Sequence, residues 1–540
     1  MNRKFSNIVL SLLAVTLFSG GLALGYALHR NTTENGRPEA KIGQILEIIS
    51  DNYVDDVNLD SIVEASIPSL LKNLDPHTAY IPAKDLADVN ADLEGAFSGV
   101  GISFQVMNDT ITIVEIISGG PAEKVGLMAG DRIVEVNDSL VAGQGISADG
   151  VRSLLRGPAG SKVDLKVKRS TSSAALPFTV TRGEIPVTSI DASYMIDDSI
   201  GYVKVNKFGR NTYEEFFTEM TMLRAVGAKD AIIDLRGNGG GFLDVAIRMA
   251  NDFLERGQMI VLTKGRDGEL LYASAANGSG SFRSARVVVL MDEFSASASE
   301  ILAGALQDND RGLIVGRRSF GKGLVQQQIE LPDSSALRVT TARYYTPSGR
   351  CIQKPWQTGH NDLYAAEVYE RYLAGEAFSA DSIKFDDSLK FQTTSGREVY
   401  GGGGIMPDLF VPSDTSNYSN YLTSVINAGL LHRFAFEYTD ANRALFDGAT
   451  SSDELLEVLP SDDELLRRFV AFAAGKGVPA RWYYINLSRP LLVNQLKALI
   501  ARDALGIAAY YEIANRRDNV IERAVRAIRD GEADWPVKTP

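Results

Sequence analysis

Ser295, Ser297 and Ser299 alternate with alanines in the run Asp292-Glu-Phe-Ser-Ala-Ser-Ala-Ser-Glu300. A short way on, Lys322 stands between glycines in Ser319-Phe-Gly-Lys-Gly-Leu-Val-Gln326. The two stretches offer a hydroxyl nucleophile and an amine base. Histidine, the commoner base, is absent from this part of the chain, whose four histidines are His29, His77, His360 and His432. If a serine here attacks a carbonyl, Lys322 is the group in place to take its proton. An ordinary lysine, with a pKa of about 10.4, is protonated at neutral pH and is no base. The chemistry therefore requires burial among apolar neighbours, with no carboxylate close by, to lower that value. Phe320, Leu324 and Val325 are the residues that can form such a wall. Gly321 and Gly323 let the backbone fold tightly around the lysine. Gln326, four residues on, can hold the amine through an uncharged amide.

The elements that must position these groups are legible around them. Val287-Val-Val-Leu-Met291 is an uninterrupted apolar run that reads as a buried parallel strand, and Glu300 to Leu306 has helical apolar spacing. The serines thus fall at a strand-to-helix junction, where unpaired N–H groups can stabilise an oxyanion, Ala298 among them. A second junction, Asp234-Leu-Arg-Gly-Asn-Gly-Gly-Gly241, follows the apolar strand Ala231 to Ile233 and leads into a helical pattern from Phe242 to Leu254. The amides of Gly239 and Gly240 are exposed there to approach a carbonyl. Taken singly, the serine run is an ordinary helix cap and the Gly-Lys-Gly an ordinary turn. The glycine run lacks the lysine of a phosphate-binding loop. Their occurrence in order, each at a strand end, is what points to one site.

These stretches, with Ala303-Gly-Ala-Leu-Gln-Asp308, Val315-Gly316, Thr341-Ala-Arg-Tyr-Tyr-Thr-Pro-Ser-Gly349 and Gly404-Ile-Met-Pro-Asp408, resemble the C-terminal processing peptidases, tail-specific serine proteases of bacteria and plastids. The resemblance implies Ser297 as nucleophile, Lys322 as base and Gln326 as its support. It also implies an oxyanion hole from Ala298 and a glycine of Gly239 to Gly241. The fold implied is multidomain α+β, with a crotonase-like α/β protease core, an inserted PDZ-like β domain, a helical N-terminal region and a helical C-terminal extension. No cofactor is implied, and neither a His-Glu-x-x-His motif nor a cysteine cluster is present to bind a metal.

The PDZ-like module, residues 94–184, is carried by Phe97-Ser-Gly-Val-Gly-Ile102, the alternating strand Thr110 to Ile117, Ser118-Gly-Gly-Pro-Ala-Glu-Lys-Val-Gly-Leu127 and the strand Arg132 to Val136. Its peptide groove is expected at Gly99, Val100, Gly101 and Ile102, where loop amides bind a terminal carboxylate. Val151, Leu154 and Leu155 are expected on the apolar side. Substrates with apolar C-terminal tails follow from a groove without counter-charge. Arg156, at the end of the groove helix, either caps that helix or reaches the catalytic core, and is expected to couple tail binding to activity.

Residues 39–93 read as amphipathic helices interrupted by the turn Leu74 to Pro82, a region that in the resembled family packs on the core and can mediate dimers. His77 in that turn is expected to be a hydrogen-bonding group. The core is expected over residues 185–412 with an insertion near 355–400, and a helical extension of unread function over 413–540. Arg3 and Lys4 precede an uncharged stretch from Ile8 to Leu28, long enough to span a bilayer. An uncleaved anchor is favoured there over a cleaved signal. Either form exports the bulk of the chain, to the periplasmic face of a bacterial envelope. The single cysteine, Cys351, fits an exported protein without internal disulfides, and a net charge of −13 argues against nucleic acid as partner. Three function classes follow: a tail-specific endopeptidase, which accounts for most of the chain; a crotonase-type acyl-thioester enzyme, which leaves Lys322 and the PDZ-like module unexplained; and a non-catalytic PDZ scaffold.

Overall fold

The computed structural model describes residues 38–170, 172–534 and 536. They form two compact units that divide between Leu74 and Asp75. The first contains the helices Pro38–Asn52 and Leu59–Leu71, the second of them capped by the Asn58 side chain, which accepts from the N–H of Ser61. No described helix is long and apolar enough to cross a membrane. The expected anchor at residues 8–28 lies outside the described residues.

The second unit is built on a six-stranded sheet in the order Ile190–Met195, Ile200–Val205, Asp230–Asp234, Val287–Met291, Leu313–Gly316, Leu409–Phe410. All neighbours pair in parallel except the first two. Such a sheet needs cover on both faces. On one face lie the helices Thr212–Ala225, Leu243–Asn251 and Ala298–Asp308, closing over Val203, Ile233, Val287 and Val289. The other face is covered by the last helix, Asn519–Arg529. Its Val520, Ile521, Ala524 and Ile528 recur at helical spacing and pack on Tyr202, Ile232, Val288 and Leu290. The C-terminal extension therefore completes the core built on this sheet. Its preceding helices, from Asn420 to Ala514, have an apolar core of their own.

A second sheet places Ala336–Tyr345 between Ala79–Ile81 and Met259–Lys264, with Leu270–Ala275 beyond, and pairs Leu324–Glu330 with Ala336–Tyr345. The expected turn Leu74 to Pro82 thus contains a short strand.

The PDZ-like domain is a sheet in the order Ile102–Met107, Thr110–Ile116, Arg132–Val136, Lys162–Lys168, Leu176–Thr181, with the helix Ala148–Leu155. Ile102–Met107 is an edge strand, open to an added peptide strand. Val151 is completely buried and Leu155 nearly so, both inside the domain core. The expectation that they face a peptide is corrected: an amphipathic helix on a small sheet spends its most apolar positions on the domain interior. Ile102, Phe104, Ile146 and Leu154 remain half-buried. The extension also touches this domain, where Arg433 donates to Asn108 Oδ1 (2.7 Å) and Arg132 to Asp440 (3.3 Å).

Candidate active site

Of the three serines, Ser295 and Ser299 are fully buried, and their hydroxyls donate to the carbonyls of Leu235 and Asn238 at 2.9 Å. They pin the serine loop to the glycine-rich loop. Ser297 alone is partly exposed. It adopts φ 57°, ψ −112°, a conformation that costs a non-glycine residue about 1–3 kcal/mol and persists only where the surroundings impose it.

What imposes it is Glu300, completely buried in the first turn of Ala298–Asp308. One carboxylate oxygen accepts from the N–H of Ser297 (2.8 Å) and of Lys322 (2.9 Å), which brings those two nitrogens within about 6 Å of each other. The other accepts from the Gly321 N–H (2.7 Å) and the Ser319 hydroxyl. One carboxylate thus ties the serine loop to the lysine loop. Burial raises the Glu300 pKa, while these four donors favour its charged form. The site was expected to contain no nearby carboxylate, and Glu300 corrects that. The residue was hidden in plain view, because Ser297-x-x-Glu300 has the spacing of a helix capping box, and the N–H of Ser297 does donate to its carboxylate.

Lys322 is largely buried, and burial lowers its pKa. The nearby charge of Arg338 lowers it further, against smaller opposing effects of Glu300 and Asp75. Its Nζ donates to Gln326 Oε1 at 3.0 Å. The Gln326 amide nitrogen in turn donates to the backbone carbonyl of His77, which fixes the amide with its oxygen toward the lysine. The His77 ring bonds the Tyr364 hydroxyl at 2.9 Å, and its pKa falls to about 4 through burial and the charge of Lys322. His77 is therefore a hydrogen-bonding group, as its turn suggested. That its carbonyl reaches Gln326 was not readable, since a main-chain oxygen leaves no mark in a side-chain pattern.

The glycine-rich loop lies directly against Ser297. A Cβ on Gly240 (φ +101°) would stand 2.7 Å from Ala296 O and from Ser297 Cβ, so only glycine fits. The Gly240 N–H donates to Asn238 Oδ1 (2.8 Å), so of the expected oxyanion donors its amide is already engaged. Among the described residues the N–H groups of Gly239 and Ala298 have no intramolecular acceptor. The loop is anchored beneath by Arg236, which binds the buried Asp234 through Nε and Nη2 and, through Nη1, Asp518 (2.7 Å), the cap of the last helix. The arginine holds the Asp234 carboxyl far below the usual range despite its burial. The C-terminal extension thus touches the site through one ion pair.

The stretch expected as an insertion braces the lysine loop. From the helix Asn361–Leu373, Arg371 donates to the carbonyls of Arg318 (2.9 Å) and Ser319 (3.0 Å), and the Tyr364 ring packs edge-on against Phe320.

In the PDZ-like domain, Val100 is buried and Gly101 takes φ +82°, while the N–H groups of both have no acceptor among the described residues. Gly99 ends a strand paired with Gly183–Pro186. Arg156 reaches none of Ser297, Lys322 and Gln326. It pairs with Asp88 (2.5 Å) and lies over the Phe97 ring (4.6 Å). From Asp88 the helix Ala83–Glu94 runs to Leu93 and Glu94, which hold Arg210 by a backbone bond (2.8 Å) and an ion pair (2.7 Å). Two residues before Arg210, Phe208 is bonded to Gly240 and Phe242.

Comparison with known proteins gives the family of the chain. Residues 199–359 match peptidase family S41, residues 112–169 a PDZ domain, and residues 421–506 a family of unknown function. A carboxy-terminal-processing protease of Bartonella bacilliformis is 33% identical over 64% of this chain and 80% of its own length. Carboxy-terminal processing protease CtpB of Bacillus subtilis is 32% identical over 66% and 73%. A solved photosystem II D1 C-terminal processing protease is 30% identical, covers 59% of this chain and 85% of its own, and has a TM-score of 0.35. The chain belongs to the carboxy-terminal processing proteases of peptidase family S41, with a PDZ domain ahead of its catalytic core.

Proposed function

We propose that the chain is an endopeptidase that recognises the C-terminal tails of proteins in its PDZ groove and cleaves them with Ser297 and Lys322. The observation that carries this reading is the shared carboxylate of Glu300, bonded to the N–H groups of both residues. Neutral Lys322, its amine held by Gln326, takes the proton of the Ser297 hydroxyl as the oxygen attacks the peptide carbon. The tetrahedral oxyanion forms against the N–H groups of Gly239 and Ala298. Collapse expels the amine, which receives the proton back from Lys322, and water releases the acyl-enzyme by the same exchange. Tail recognition is supported by the open edge of Ile102–Met107 and the unpartnered N–H groups of Val100 and Gly101, suited to a strand ending in a carboxylate.

Arg156 couples the two sites in this reading, through Asp88, Arg210 and Phe208 to the glycine-rich loop. Export and anchoring by residues 8–28 complete the proposal, which places the enzyme at the periplasmic face of a bacterial membrane. Replacement of Ser297 by alanine tests the function: cleavage of a tagged protein disappears while tail binding survives. Persistent cleavage overturns the assignment.

A further inference from the structure

A groove of about 460 Å³ lies beside the serine loop, walled by Phe294, Val368, Tyr369 and Tyr372. Phe294 is 59% exposed, Tyr369 64% and Tyr372 47%, so three aromatic rings present open surface at one groove, the kind of patch that often marks a binding site. The charges at its rim are matched: Arg317 pairs with Glu293 (2.8 Å) and Arg318 with Glu376 (2.9 Å), so the groove offers no free charge to an ionic side chain. Its chemistry is that of a receptor for one large apolar group.

Its position says which. Phe294 precedes Ser297 by three residues, so its Cα lies within roughly 11 Å of the nucleophile's Cα. An extended substrate advances about 3.3 Å per residue. A chain held with its scissile bond at Ser297 that runs along this wall reaches the groove within about three residues of the cut. The same helix, Asn361–Leu373, through Tyr364 and through Arg371, which also lines the groove, braces the loop that carries Lys322. A side chain seated in the groove thus presses on the helix that positions the base.

We propose that this groove is a substrate subsite that selects an aromatic or long aliphatic side chain within three residues of the scissile bond, so that specificity has a second determinant besides the tail. The proposal rests on the endopeptidase reading above. Its test is cleavage-site profiling with a peptide library of constant C-terminal tail and randomised interior, for the wild-type chain and for Ala365→Trp, which fills the groove, and Val368→Ser, which makes it polar. The wild-type enzyme is expected to enrich aromatic or long aliphatic residues at one position within three of the cut. The ratio of kcat/KM between a phenylalanine and an alanine peptide there is expected to be at least about tenfold. Both variants reduce that ratio toward one. Two variants of opposite volume guard against a folding artefact, and unchanged thermal unfolding is required of at least one.

A wild-type profile with no such enrichment, or a ratio preserved in both variants, overturns the proposal. So does a change confined to sedimentation behaviour, which would assign the groove to a second copy of the chain. Failure of the endopeptidase reading is separate, because the wild-type enzyme would then cut none of the library.

Discussion

Replacement of Gln326 by glutamate changes one atom group and inverts the electrostatics of the base. In the native site an amide oxygen sits 3.0 Å from Lys322 Nζ. A carboxylate there interacts with the ammonium by roughly 5 kcal/mol at an effective dielectric of about 20. Burying the new charge offsets much of this, which leaves an increase in the lysine pKa of about one to three units. Burial holds the native value below that of an ordinary lysine, so activity rises with pH as the amine loses its proton. The glutamate moves that rise to higher pH by the same one to three units. Below it, where activity is proportional to the neutral fraction, kcat/KM falls by about 10- to 1000-fold at fixed pH. The assay is the pH profile of kcat/KM on a peptide carrying the preferred tail. Gln326→Leu serves as control: it removes the hydrogen bond without adding charge, and lowers the plateau without moving the profile toward alkaline pH. A glutamate variant with an unshifted rise, or one shifted toward acid, refutes Lys322 as the base.

Three further outcomes are expected. Glu300→Gln presents an amide N–H₂ to main-chain N–H groups and breaks the link between the serine and lysine loops. At about 1.5–3 kcal/mol per charged hydrogen bond, kcat/KM falls at least about 100-fold and the melting temperature drops, read by peptide cleavage and thermal unfolding. Gly240→Ala places a methyl 2.7 Å from Ser297 Cβ at a positive φ, so cleavage falls by a similar factor while tail binding, measured by calorimetry, is unaffected. Arg156→Ala removes the contacts to Asp88 and Phe97, and lowers turnover of tailed protein substrates several-fold at unchanged tail affinity. Loss of affinity alone would refute the coupling.

Much of the core was legible because its signals are local. The run Val287–Met291 has no polar interruption and forms a wholly buried strand over those same residues, so the serines after it had to lie at a strand end. Gln326 was legible for a similar reason, four residues from Lys322 in an alternating strand. What escaped notice depends on partners distant in sequence. Glu300 passed as the first residue of a helical pattern, because its other donors come from the loop Ser319 to Lys322. Val151 and Leu155 were apolar on a helix, but spacing does not tell a helix's domain interior from its groove. The role of Asn519–Arg529 as cover for the sheet was unreadable, since an amphipathic pattern announces a buried face without naming what buries it.

The most direct measurement is covalent labelling. A fluorophosphonate that reports activated serines is incubated with the wild-type chain and with Lys322→Ala, and the modified residue is located by peptide mass spectrometry. Modification of Ser297 in the wild-type chain, slowed at least about 100-fold in the variant, is the predicted result. Modification of Ser295 or Ser299, or equal rates in the two proteins, would contradict it.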